Sequence, residues 1–436
     1  MENHVKIIKM FLHSSKKTIV ITGAGFGGLR TALDLNSVFA KNSHLAREYN
    51  LYLIDQNDHH LFTPSVYEAA VTLFDDARAQ KIKQAVTLPL EKIFEHGPLK
   101  FRQAKIIGFD PLNNLISLNN RTRLKFDYLI IALGAETNFY NIPGLKENSL
   151  TLSGLASAIK IRNEIEKKFC ETLGHKKILN VVLGGGGVTG VELAGEICGY
   201  IKKLNKKYEA TLWPAITIIE GEKDILPGFD SKLAGWASRR LGHLGIKIET
   251  GEMISEIKEN YVFTKSGRKF LFDVLIWSGG IKPNHLIETL PFKKDRKGRV
   301  AVQQNFCPLF EAATPETASE CSNVLVIGDN CCFMKHGTAL PQTAQMAINE
   351  GRQAAKIILS KIQNKPTPFY RPLPNRYILP IGGKFAVADL GQVKLKGFFI
   401  WVLKELVFLD YLISILPPSK AITHWLKAIR LFIRND

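Results

Sequence analysis

Residues 18–28 read TIVITGAGFGG, a run of β-branched residues followed by three glycines spaced as G-x-G-x-x-G. Each glycine in this spacing has its own physical use. Gly23 permits a tight turn, Gly25 lets the backbone approach a pyrophosphate, and Gly28 lets the next helix pack closely on the strand. The segment therefore predicts a buried strand, a glycine turn, and a helix whose amino end faces a phosphate group.

The residues after this turn complete a nucleotide-binding βαβ unit. Residues 29–40 have helical spacing, and the apolar run 51–54 predicts a second strand that ends at Asp55. An acid at this position accepts hydrogen bonds from a ribose. Asp55 lies 27 residues beyond Gly28, whereas the usual spacing is about 20, so the helix or its exit loop is extended. A glycine turn without a ligand is the alternative, which the flanking strand, helix and acid disfavour.

The same order of features recurs roughly 160 residues later. Residues 178–183 predict a strand, residues 184–190 a turn, residues 191–204 a helix, and residues 215–219 a strand that ends at Glu220. Four glycines run together in this turn, and alignment on the helix start selects Gly185, Gly187 and Gly190. Glu220 and the nearby Glu222 would repel a 2′-phosphate, which favours NADH over NADPH.

Two such units in one chain predict an α/β fold with two Rossmann-type dinucleotide-binding domains, one for FAD and one for NADH. Further apolar strands at 126–133, 274–280 and 324–327 and a helix at 342–359 indicate that the first domain is interrupted by the second. We expect FAD-binding parts at residues 1–145 and 291–365, an NADH-binding domain at 146–290, and a C-terminal membrane-association region at 366–436.

The amino-acid composition narrows the class of protein to which this chain can belong. The 436 residues are 45% hydrophobic and 22% charged, as in ordinary globular proteins, with a net charge of +18. This excess favours an anionic partner such as a lipid surface or an acidic protein, with a merely basic surface as the alternative. No recognition motif points to nucleic acid. The cysteines show no zinc or C-x-x-C spacing, so we expect no metal site and reduced thiols. They stand at positions 170, 198, 307, 321, 331 and 332.

The last 40 residues have a different pattern. Residues 398–416 are apolar but interrupted by Lys404, Glu405 and Asp410, and too polar for a clean membrane span. After Pro417-Pro418, Ser419 is a predicted N-cap for a final helix with apolar residues, including Trp425, on one face and basic residues up to Arg434 on the other. A basic amphipathic helix of this kind lies in a membrane interface, and a helix docked in a dimer interface is the alternative.

Several motifs resemble those of type II NADH dehydrogenases, in order over roughly residues 18–400. These are GAGFGGL at the first turn, NDHHLFTPSVYEAA at 57–70, ALGAETNFYNIPG at 132–144, GGGVTGVELAGEI at 185–197, ILPGFD at 225–230, IGDNC at 327–331 and LPQTAQMAINEG at 340–351. The HHLFTP and PQTAQ segments are the more specific ones. The resemblance implies non-covalent FAD, hydride transfer from NADH to the flavin, and electron transfer to a membrane quinone without proton pumping.

The resemblance also implies roles for single residues. Cofactor binding falls to Gly23, Gly25, Gly28, Asp55, Gly134, Gly185, Gly187, Gly190, Glu220, Gly328 and Asp329. The catalytic candidates are Glu192 as a proton relay, Gln342 and Gln345 beside the flavin ring and quinone, and Lys384 near the ring. It further implies a homodimer held peripherally on the cytoplasmic face of the cell membrane, with the C-terminal helices on anionic lipid.

Each of these residues has a simpler alternative. The alternative for Asp329 is a helix cap. For Glu192 and Glu196 it is a solvated pair one turn apart, and for the two glutamines it is a place on the surface. His59-His60 lacks a third ligand for a metal, so a structural role is favoured. For the whole protein, the alternatives are a reductase of a soluble carrier, a disulfide or sulfide enzyme using Cys331-Cys332, and a non-catalytic NADH sensor.

Overall fold

The computed structural model describes residues 16–73, 76–175, 178–311 and 322–433. Cys321, Arg434 and most of the amino-terminal segment lie outside these residues. The helices are α1 Phe26–Lys41, α2 Ser43–Glu48, α3 Val66–Ala69, α4 Asp76–Val86, α5 Leu90–Ile93, α6 Leu145–Asn148, α7 Leu155–His175, α8 Val188–Lys207, α9 Ser231–His243, α10 Ala344–Ile362, α11 Phe398–Ile415 and α12 Pro418–Phe432.

The strands follow the same chain order. They are β1 Lys17–Thr22, β2 Tyr49–Asp55, β3 His59–Leu61, β4 Thr87–Pro89, β5 Leu99–Gln103, β6 Ile106–Asp110, β7 Leu115–Leu118, β8 Arg123–Lys125, β9 Tyr128–Ile131, β10 Ala135–Thr137, β11 Leu150–Thr151, β12 Asn180–Gly184, β13 Ala215–Ile219, β14 Lys247–Glu249, β15 Ile254–Lys258, β16 Tyr261–Thr264, β17 Lys269–Leu271, β18 Val274–Trp277, β19 Ile281–Pro283, β20 Val300–Ala301, β21 Val324–Val326, β22 Cys331–Cys332, β23 Met334–Lys335, β24 Thr338–Ala339, β25 Tyr377–Pro380, β26 Ala386–Asp389 and β27 Lys394–Gly397.

The chain forms two compact units. The first contains the chain up to His60, Leu88–Glu136 and Lys282–Pro374, and the second contains Leu61–Thr87, Thr137–Ile281 and the chain from Asn375. Each unit is therefore assembled from separated stretches, because the chain passes from one to the other several times.

The first unit is built on a five-stranded parallel sheet in the order β21-β9-β1-β2-β5. The middle strand β1 is buried from Thr18 onward, because apolar side chains alternate onto two covered faces. The short helix α2 lies between α1 and β2, which accounts for the long spacing between Gly28 and Asp55. An antiparallel meander, β6-β7-β8, completes the pattern in this unit.

The second unit repeats this plan with a parallel sheet in the order β11-β18-β12-β13-β14 and a meander, β15-β16-β17. The internal duplication expected from the sequence is thus visible as matching strand order: β12 stands where β1 stands, and β13 where β2 stands. A further three-stranded sheet, β25-β26-β27, leads into α11 and α12. The expected α/β fold with two Rossmann-type halves and C-terminal helices is confirmed.

One local prediction is wrong. Helix α12 begins at Pro418 with Pro417 as its N-cap, so Ser419 lies inside the first turn and is not the cap. Proline suits the first helical position, because its missing N–H would have no intrahelical partner there and its fixed φ is already helical. The two prolines therefore both end α11 and start α12.

Candidate functional site

The first glycine turn has the backbone geometry that its spacing predicts. Gly23 has φ +93°, and a Cβ there would lie 2.2 Å from the Ala132 carbonyl oxygen. A Cβ on Gly28 would lie 1.9 Å from the Gly23 carbonyl oxygen, whereas one on Gly25 would meet no atom within 4 Å. Gly25 is the N-cap of α1 and makes no side-chain hydrogen bond, and the first N–H groups of a helix have no acceptor within the helix.

Two side chains fix the peptide groups of Ala24 within this turn. Asp55 accepts from the Ala24 N–H at 2.7 Å with one oxygen and from the Asn57 N–H at 2.7 Å with the other. His60 is fully buried, and its Nδ1 donates to the Ala24 carbonyl at 2.8 Å. Burial lowers the pKa of His60 to about 4, so the ring is neutral. The sequence had given His60 only an unspecified structural role.

A second segment of the first unit carries Gly328 and Asp329. Gly328 has φ +67°, and its N–H donates to Oε2 of Glu350 at 2.6 Å. Burial raises the pKa of Asp329, and it raises the pKa of Glu350 to about 8. Thr343 caps α10 by accepting from the Met346 N–H, so Asp329 is not the cap of that helix. Glu350 was missed at the sequence level.

The glutamine candidates lie at the start of α10. Gln342 donates from Nε2 to the Asp329 carbonyl at 3.0 Å, and the partly buried Gln345 lies on the first helical turn. Farther along α10, a Cβ on Gly351 would lie 2.3 Å from the Gly27 carbonyl oxygen, and Thr31 donates to the Gly351 carbonyl at 3.1 Å. Helices α1 and α10 therefore cross in close contact.

Gly134 follows β9 at the edge of the first unit. It has φ +72°, and a Cβ there would meet no atom within 4 Å. Its carbonyl accepts from Nδ2 of Asn330 at 2.7 Å, which ties this residue to the Gly328–Asn330 turn. Gly134 and Gly25 thus both leave open space at the carboxyl end of the parallel sheet.

The glycine turn of the second unit repeats the first. Gly185 has φ +112°, and a Cβ there would lie 2.6 Å from Gly279. A Cβ on Gly190 would lie 2.0 Å from the Gly185 carbonyl oxygen, and one on Gly187 would meet no atom within 4 Å. Gly187 caps α8 without a side-chain hydrogen bond. Gly185, Gly190 and Gly187 therefore correspond to Gly23, Gly28 and Gly25, respectively.

Glu220 corresponds to Asp55 in both place and contacts. Its Oε2 accepts from the Gly186 N–H at 2.6 Å, and its Oε1 accepts from the Glu222 N–H at 2.8 Å. Each acid therefore binds the glycine turn with one oxygen and the loop after its own strand with the other. Each carboxylate keeps further lone pairs with which it can accept from a ligand hydroxyl.

A cluster of acids surrounds one lysine in the second unit. Lys404 of α11 contacts Glu68 of α3 at 3.0 Å and Glu405 at 2.8 Å, and it donates to Oη of Tyr67 at 3.2 Å. Glu192 of α8 lies near them, and burial raises its pKa to about 8. Glu196 is 4% exposed. Glu192 and Glu196 are therefore not a solvated pair.

Lys384 lies in the turn between β25 and β26, and its side chain is exposed. The preceding glycines are closely packed: a Cβ on Gly195 of α8 would lie 2.7 Å from the Gly382 nitrogen. Arg240 donates to the Gly382 carbonyl at 2.6 Å. The turn that carries Lys384 is thus held against α8.

Helix α11 has several exposed apolar side chains, whereas two of its charged residues, Lys404 and Glu405, are largely buried. Phe399 is 83% exposed, and Lys404 and Glu405 face inward. Trp425 of α12 donates from Nε1 to the Glu405 carbonyl at 2.8 Å, so the polar edge of its ring faces α11. Further exposed apolar residues on the two helices are Phe398, Leu406, Val407, Ile413, Ile422, Leu426 and Ile433. Over the described residues, no helix is long and apolar enough to cross a membrane.

The two adjacent cysteines of the first unit are poorly suited to catalysis. Cys331 and Cys332 are buried, free, and lie on a strand paired with β20, and burial raises the pKa of both thiols. Thiols of this kind are poor nucleophiles. In the part of the chain that the structure describes, no three His, Cys, Asp or Glu side chains are grouped to hold a metal ion.

Two cavities of the first unit lie at opposite ends of its parallel sheet. One of about 80 Å³ is lined by Gly23, Asp55, Lys105 and His285, at the carboxyl end of the strands. A larger one, of about 450 Å³, lies at the amino ends of β1 and β9. Ligands of open α/β sheets bind at the carboxyl ends, so the smaller cavity beside the glycine turn is the relevant one.

Comparison with known proteins agrees with this geometry. The family of pyridine nucleotide-disulphide oxidoreductases matches residues 17–351. A type II NADH:quinone oxidoreductase of Staphylococcus saprophyticus is 27% identical over 363 residues, covering 81% of this chain and 84% of that protein. One from Staphylococcus aureus is 26% identical over 393 residues, covering 88% and 92%. The resemblance to type II NADH dehydrogenases is thus confirmed.

Solved structures share the fold. NDH2 from Plasmodium falciparum in complex with NADH superposes with a TM-score of 0.79 at 19% identity, covering 95% of this chain and 98% of that one. The sulfide:quinone oxidoreductase of Aquifex aeolicus superposes with a TM-score of 0.73 at 18% identity, covering 94% and 92%. At such identities the likeness establishes the fold alone.

Proposed function

Because this chain belongs to the pyridine nucleotide-disulphide oxidoreductase family, we propose that it is an FAD-dependent NADH:quinone oxidoreductase. NADH gives a hydride to the flavin, and the electrons pass to a membrane quinone without proton pumping. The observation that carries this proposal is the duplicated turn: each unit holds a strand, a glycine turn, an uncapped helix start and an acid in the same arrangement. The names of the Staphylococcus relatives support the acceptor.

The residues of the first unit fit FAD. The open space at Gly25 and Gly134 is what a pyrophosphate and its sugar need, and the positive amino end of α1 stabilises the phosphate charge. We assign FAD binding to Gly23, Gly25, Gly28, Asp55, Gly134, Gly328 and Asp329. When bound, the flavin supplies the hydride-accepting and electron-donating chemistry. Gln342 orients the Asp329 peptide through its hydrogen bond.

The residues of the second unit fit a nicotinamide dinucleotide. Gly187 leaves space at the amino end of α8, and Gly185 and Gly190 permit the close turn. We assign Gly185, Gly187, Gly190 and Glu220 to NADH binding. The carboxylates of Glu220 and Glu222 disfavour the additional phosphate of NADPH, because their negative charges would repel it.

Reduction of a quinone to a quinol needs protons as well as electrons, so an acid or amide near the acceptor is required. We assign Glu192 as the proton relay, since a carboxyl group with a pKa of about 8 is protonated at neutral pH. We assign Gln342, Gln345 and Lys384 as further residues of the acceptor side. We also propose functional domains at 1–145 and 291–365 for FAD, 146–290 for NADH and 366–436 for membrane association.

We further propose peripheral attachment to anionic lipid on the cytoplasmic face of the cell membrane, and a homodimer. The apolar outer face of α11 and α12, with Lys420, Lys427 and Arg430 on α12, supports a lipid contact. The test is binding to phosphatidylcholine–phosphatidylglycerol vesicles. Phe399→Ser should weaken binding about tenfold, whereas Trp213→Ser, which removes a side chain 78% exposed in another part of the chain, should not. Sedimentation of the detergent-purified protein tests the dimer.

The test of the activity is an anaerobic flavin spectrum of the purified protein. Added NADH should bleach the flavin, and a short-chain quinone should then restore the oxidised spectrum at once. Bleaching without return would remove quinone as the acceptor and favour a soluble carrier. Replacement of Cys331 and Cys332 by serine should leave turnover intact, and loss of turnover would favour disulfide or sulfide chemistry.

A further inference from the structure

Arg268 is held by two acids at the carboxyl end of the parallel sheet of the second unit. Its Nη1 donates to Glu249 at 2.7 Å and to Glu252 at 3.0 Å, and Ser266 donates to the other carboxylate oxygen of Glu252 at 2.6 Å. The exposed Lys247 also contacts Glu249, at 2.8 Å. The two acid side chains are 12% and 10% exposed, whereas that of Arg268 is 44% exposed. Two largely buried carboxylates therefore compensate the charge of a guanidinium group that reaches solvent.

Backbone hydrogen bonds place both acids beside the acid that binds the second glycine turn. The Glu220 N–H donates to the Glu249 carbonyl at 2.8 Å, and the Glu252 N–H donates to the Glu220 carbonyl at 2.9 Å. The Gly251 N–H also donates to the Glu222 carbonyl at 2.8 Å. The turn after β14 thus lies against the 220–222 loop, where the acid at the end of the second strand binds the adenosine ribose in this type of fold.

The first unit shows what such a turn borders. There the Ala104 N–H donates to the Asp55 carbonyl at 2.8 Å, as the Glu252 N–H does to the Glu220 carbonyl. Ala104 and Lys105 line the cavity of about 80 Å³ beside Asp55 and the first glycine turn. Because the two units share their strand order and this hydrogen bond, we expect the turn with Glu252 to border the adenosine end of the second site.

The charges at these corresponding places have opposite signs. Ile54 pairs with Arg102 in the first unit, and the corresponding Ile219 pairs with Glu249 in the second. The second unit thus has a carboxylate where the first has a guanidinium group, and Glu252 adds another carboxylate. The FAD proposed for the first unit has no 2′-phosphate. The sign of the charge therefore matters in the second unit, where NADH and NADPH differ by that group.

We propose that Glu249 and Glu252 determine nucleotide specificity by compensating the charge of Arg268, so that the adenosine end of the second site offers no cation to the 2′-phosphate of NADPH. The proposal rests on the proposed function, in which this unit binds NADH. A guanidinium group with an uncompensated charge binds phosphate strongly. The two acids therefore add to the repulsion by Glu220 and Glu222, because they withdraw the nearby cation that would otherwise offset it.

Glutamine at both acidic positions keeps the contacts and removes the charges. An amide oxygen can still accept from Arg268, so the double variant Glu249→Gln, Glu252→Gln leaves the guanidinium group in place but uncompensated. The affinity for NADP⁺ relative to NAD⁺ should rise about tenfold. Adding Arg268→Met to this variant should remove most of the gain, whereas Arg268→Met alone should not raise the ratio. Glu249→Gln alone should raise it about threefold, which keeps the test available if the double variant does not fold.

The closing experiment measures nucleotide binding apart from turnover. Isothermal titration of the FAD-loaded, detergent-purified protein with NAD⁺ and with NADP⁺ gives both dissociation constants, because the oxidised nucleotides do not reduce the flavin. Glu288→Gln is the matched control: it removes one carboxylate from an ion pair of the first unit, with Lys282 at 2.9 Å, and should leave the ratio of the two constants unchanged.

Two results overturn the proposal. The first is an unchanged ratio in the double variant, and the second is a gain that persists in full when Arg268 is also replaced, since the charge of Arg268 would then have no part in it. Flavin bleaching by NADH in the wild-type protein tests the proposed function separately. If the ratio changes as expected but NADH does not bleach the flavin, the specificity is retained and the proposed oxidoreductase function fails.

Discussion

The glycine turn after β1 and the glycine turn after β12 share their backbone geometry but differ in what surrounds them. In the first unit, α10 crosses α1 at Gly27 and Gly351, and Glu350 holds the Gly328 N–H. In the second unit, α8 packs at Gly195 against the Gly382 turn. The two glycine turns thus have the same geometry but different surroundings, which suits different ligands. We infer that the first unit retains its dinucleotide as part of the fold and that the second unit exchanges its dinucleotide.

The sharpest test of this comparison is a matched pair, Gly28→Ala and Gly190→Ala. Each new Cβ would lie about 2 Å from a backbone carbonyl oxygen, at 1.9 and 2.0 Å respectively, so helix and strand must separate. A cost of 1–3 kcal/mol corresponds to roughly ten- to a hundredfold in ligand affinity. Flavin content should fall in the first variant. In the second, flavin should stay and the KM for NADH should rise. Equal flavin loss in both would refute the division.

A substitution of Glu350 tests the contact of this residue with the Gly328 N–H, which distinguishes the surroundings of the first turn. Its folded-state pKa of about 8 exceeds its ordinary value of 4.5. Its contribution to stability is therefore fully present below about pH 4.5 and is lost as the pH rises through about 8. Because glutamine does not titrate, Glu350→Gln removes this loss of stability at high pH. In the protein without cofactor, the free energy of unfolding of the variant should rise relative to wild type by on the order of 1–3 kcal/mol between pH 5 and pH 9. Urea unfolding across this range measures it, and parallel pH profiles would contradict it.

Gly25→Ala and Gly187→Ala separate ligand space from folding. A Cβ at either position meets no protein atom within 4 Å, so thermal stability of the protein without cofactor should change by less than about 0.5 kcal/mol. Affinity for the dinucleotide of that unit should nevertheless drop about tenfold, because the methyl group fills the space for the pyrophosphate. Isothermal titration with FAD or NADH gives the values. A large stability loss would show that these glycines serve the fold.

Glu220→Gln is expected to have the smallest effect. The amide oxygen can still accept from the Gly186 N–H, whereas the amide nitrogen cannot accept from the Glu222 N–H. The glycine turn therefore keeps its own hydrogen bond while the negative charge is lost. The preference for NADH over NADPH should decrease several-fold, up to about tenfold. The ratio of kcat/KM for the two nucleotides measures it. The matched variant Asp55→Asn in the first unit should leave this ratio unchanged.

The sequence predicts these turns well because their requirements are local. The spacing of Gly23, Gly25 and Gly28 and the acid beyond them follow from neighbouring residues, and the second copy confirms the pattern. Glu350, the hydrogen bond from His60 to Ala24 and the Glu68–Lys404 pair were missed for the opposite reason. Glu350 lies on the buried side of an ordinary amphipathic helix, and residues 68 and 404 are far apart in sequence. Periodicity reports which side of an element is apolar, not which charges meet across the fold.

Lys404 also shows how an apolar segment can mislead. In the sequence, Lys404 and Glu405 look like interruptions that make residues 398–416 too polar for a membrane. In the structure Lys404 and Glu405 lie on the inner side together with apolar residues such as Phe408, while other apolar residues, including Phe399, are exposed. Average hydropathy is the same in both orientations, so the contacts of the folded chain, such as Lys404 with Glu68 and Phe408 with Phe62, decide which side of the helix is buried.

The crossing of α1 and α10 has a consequence for synthesis on the ribosome. Gly27 cannot make its contact until Gly351, 324 residues later, has been synthesised. The first parallel sheet likewise stays incomplete until β21 can pair with β9. The strands of the second parallel sheet, by contrast, all lie between Leu150 and Trp277. The nascent chain should therefore form the later sheet first, while its own amino terminus stays open. Protease treatment of ribosome-stalled chains ending near residue 320 should cut before residue 60 and spare the stretch 150–277.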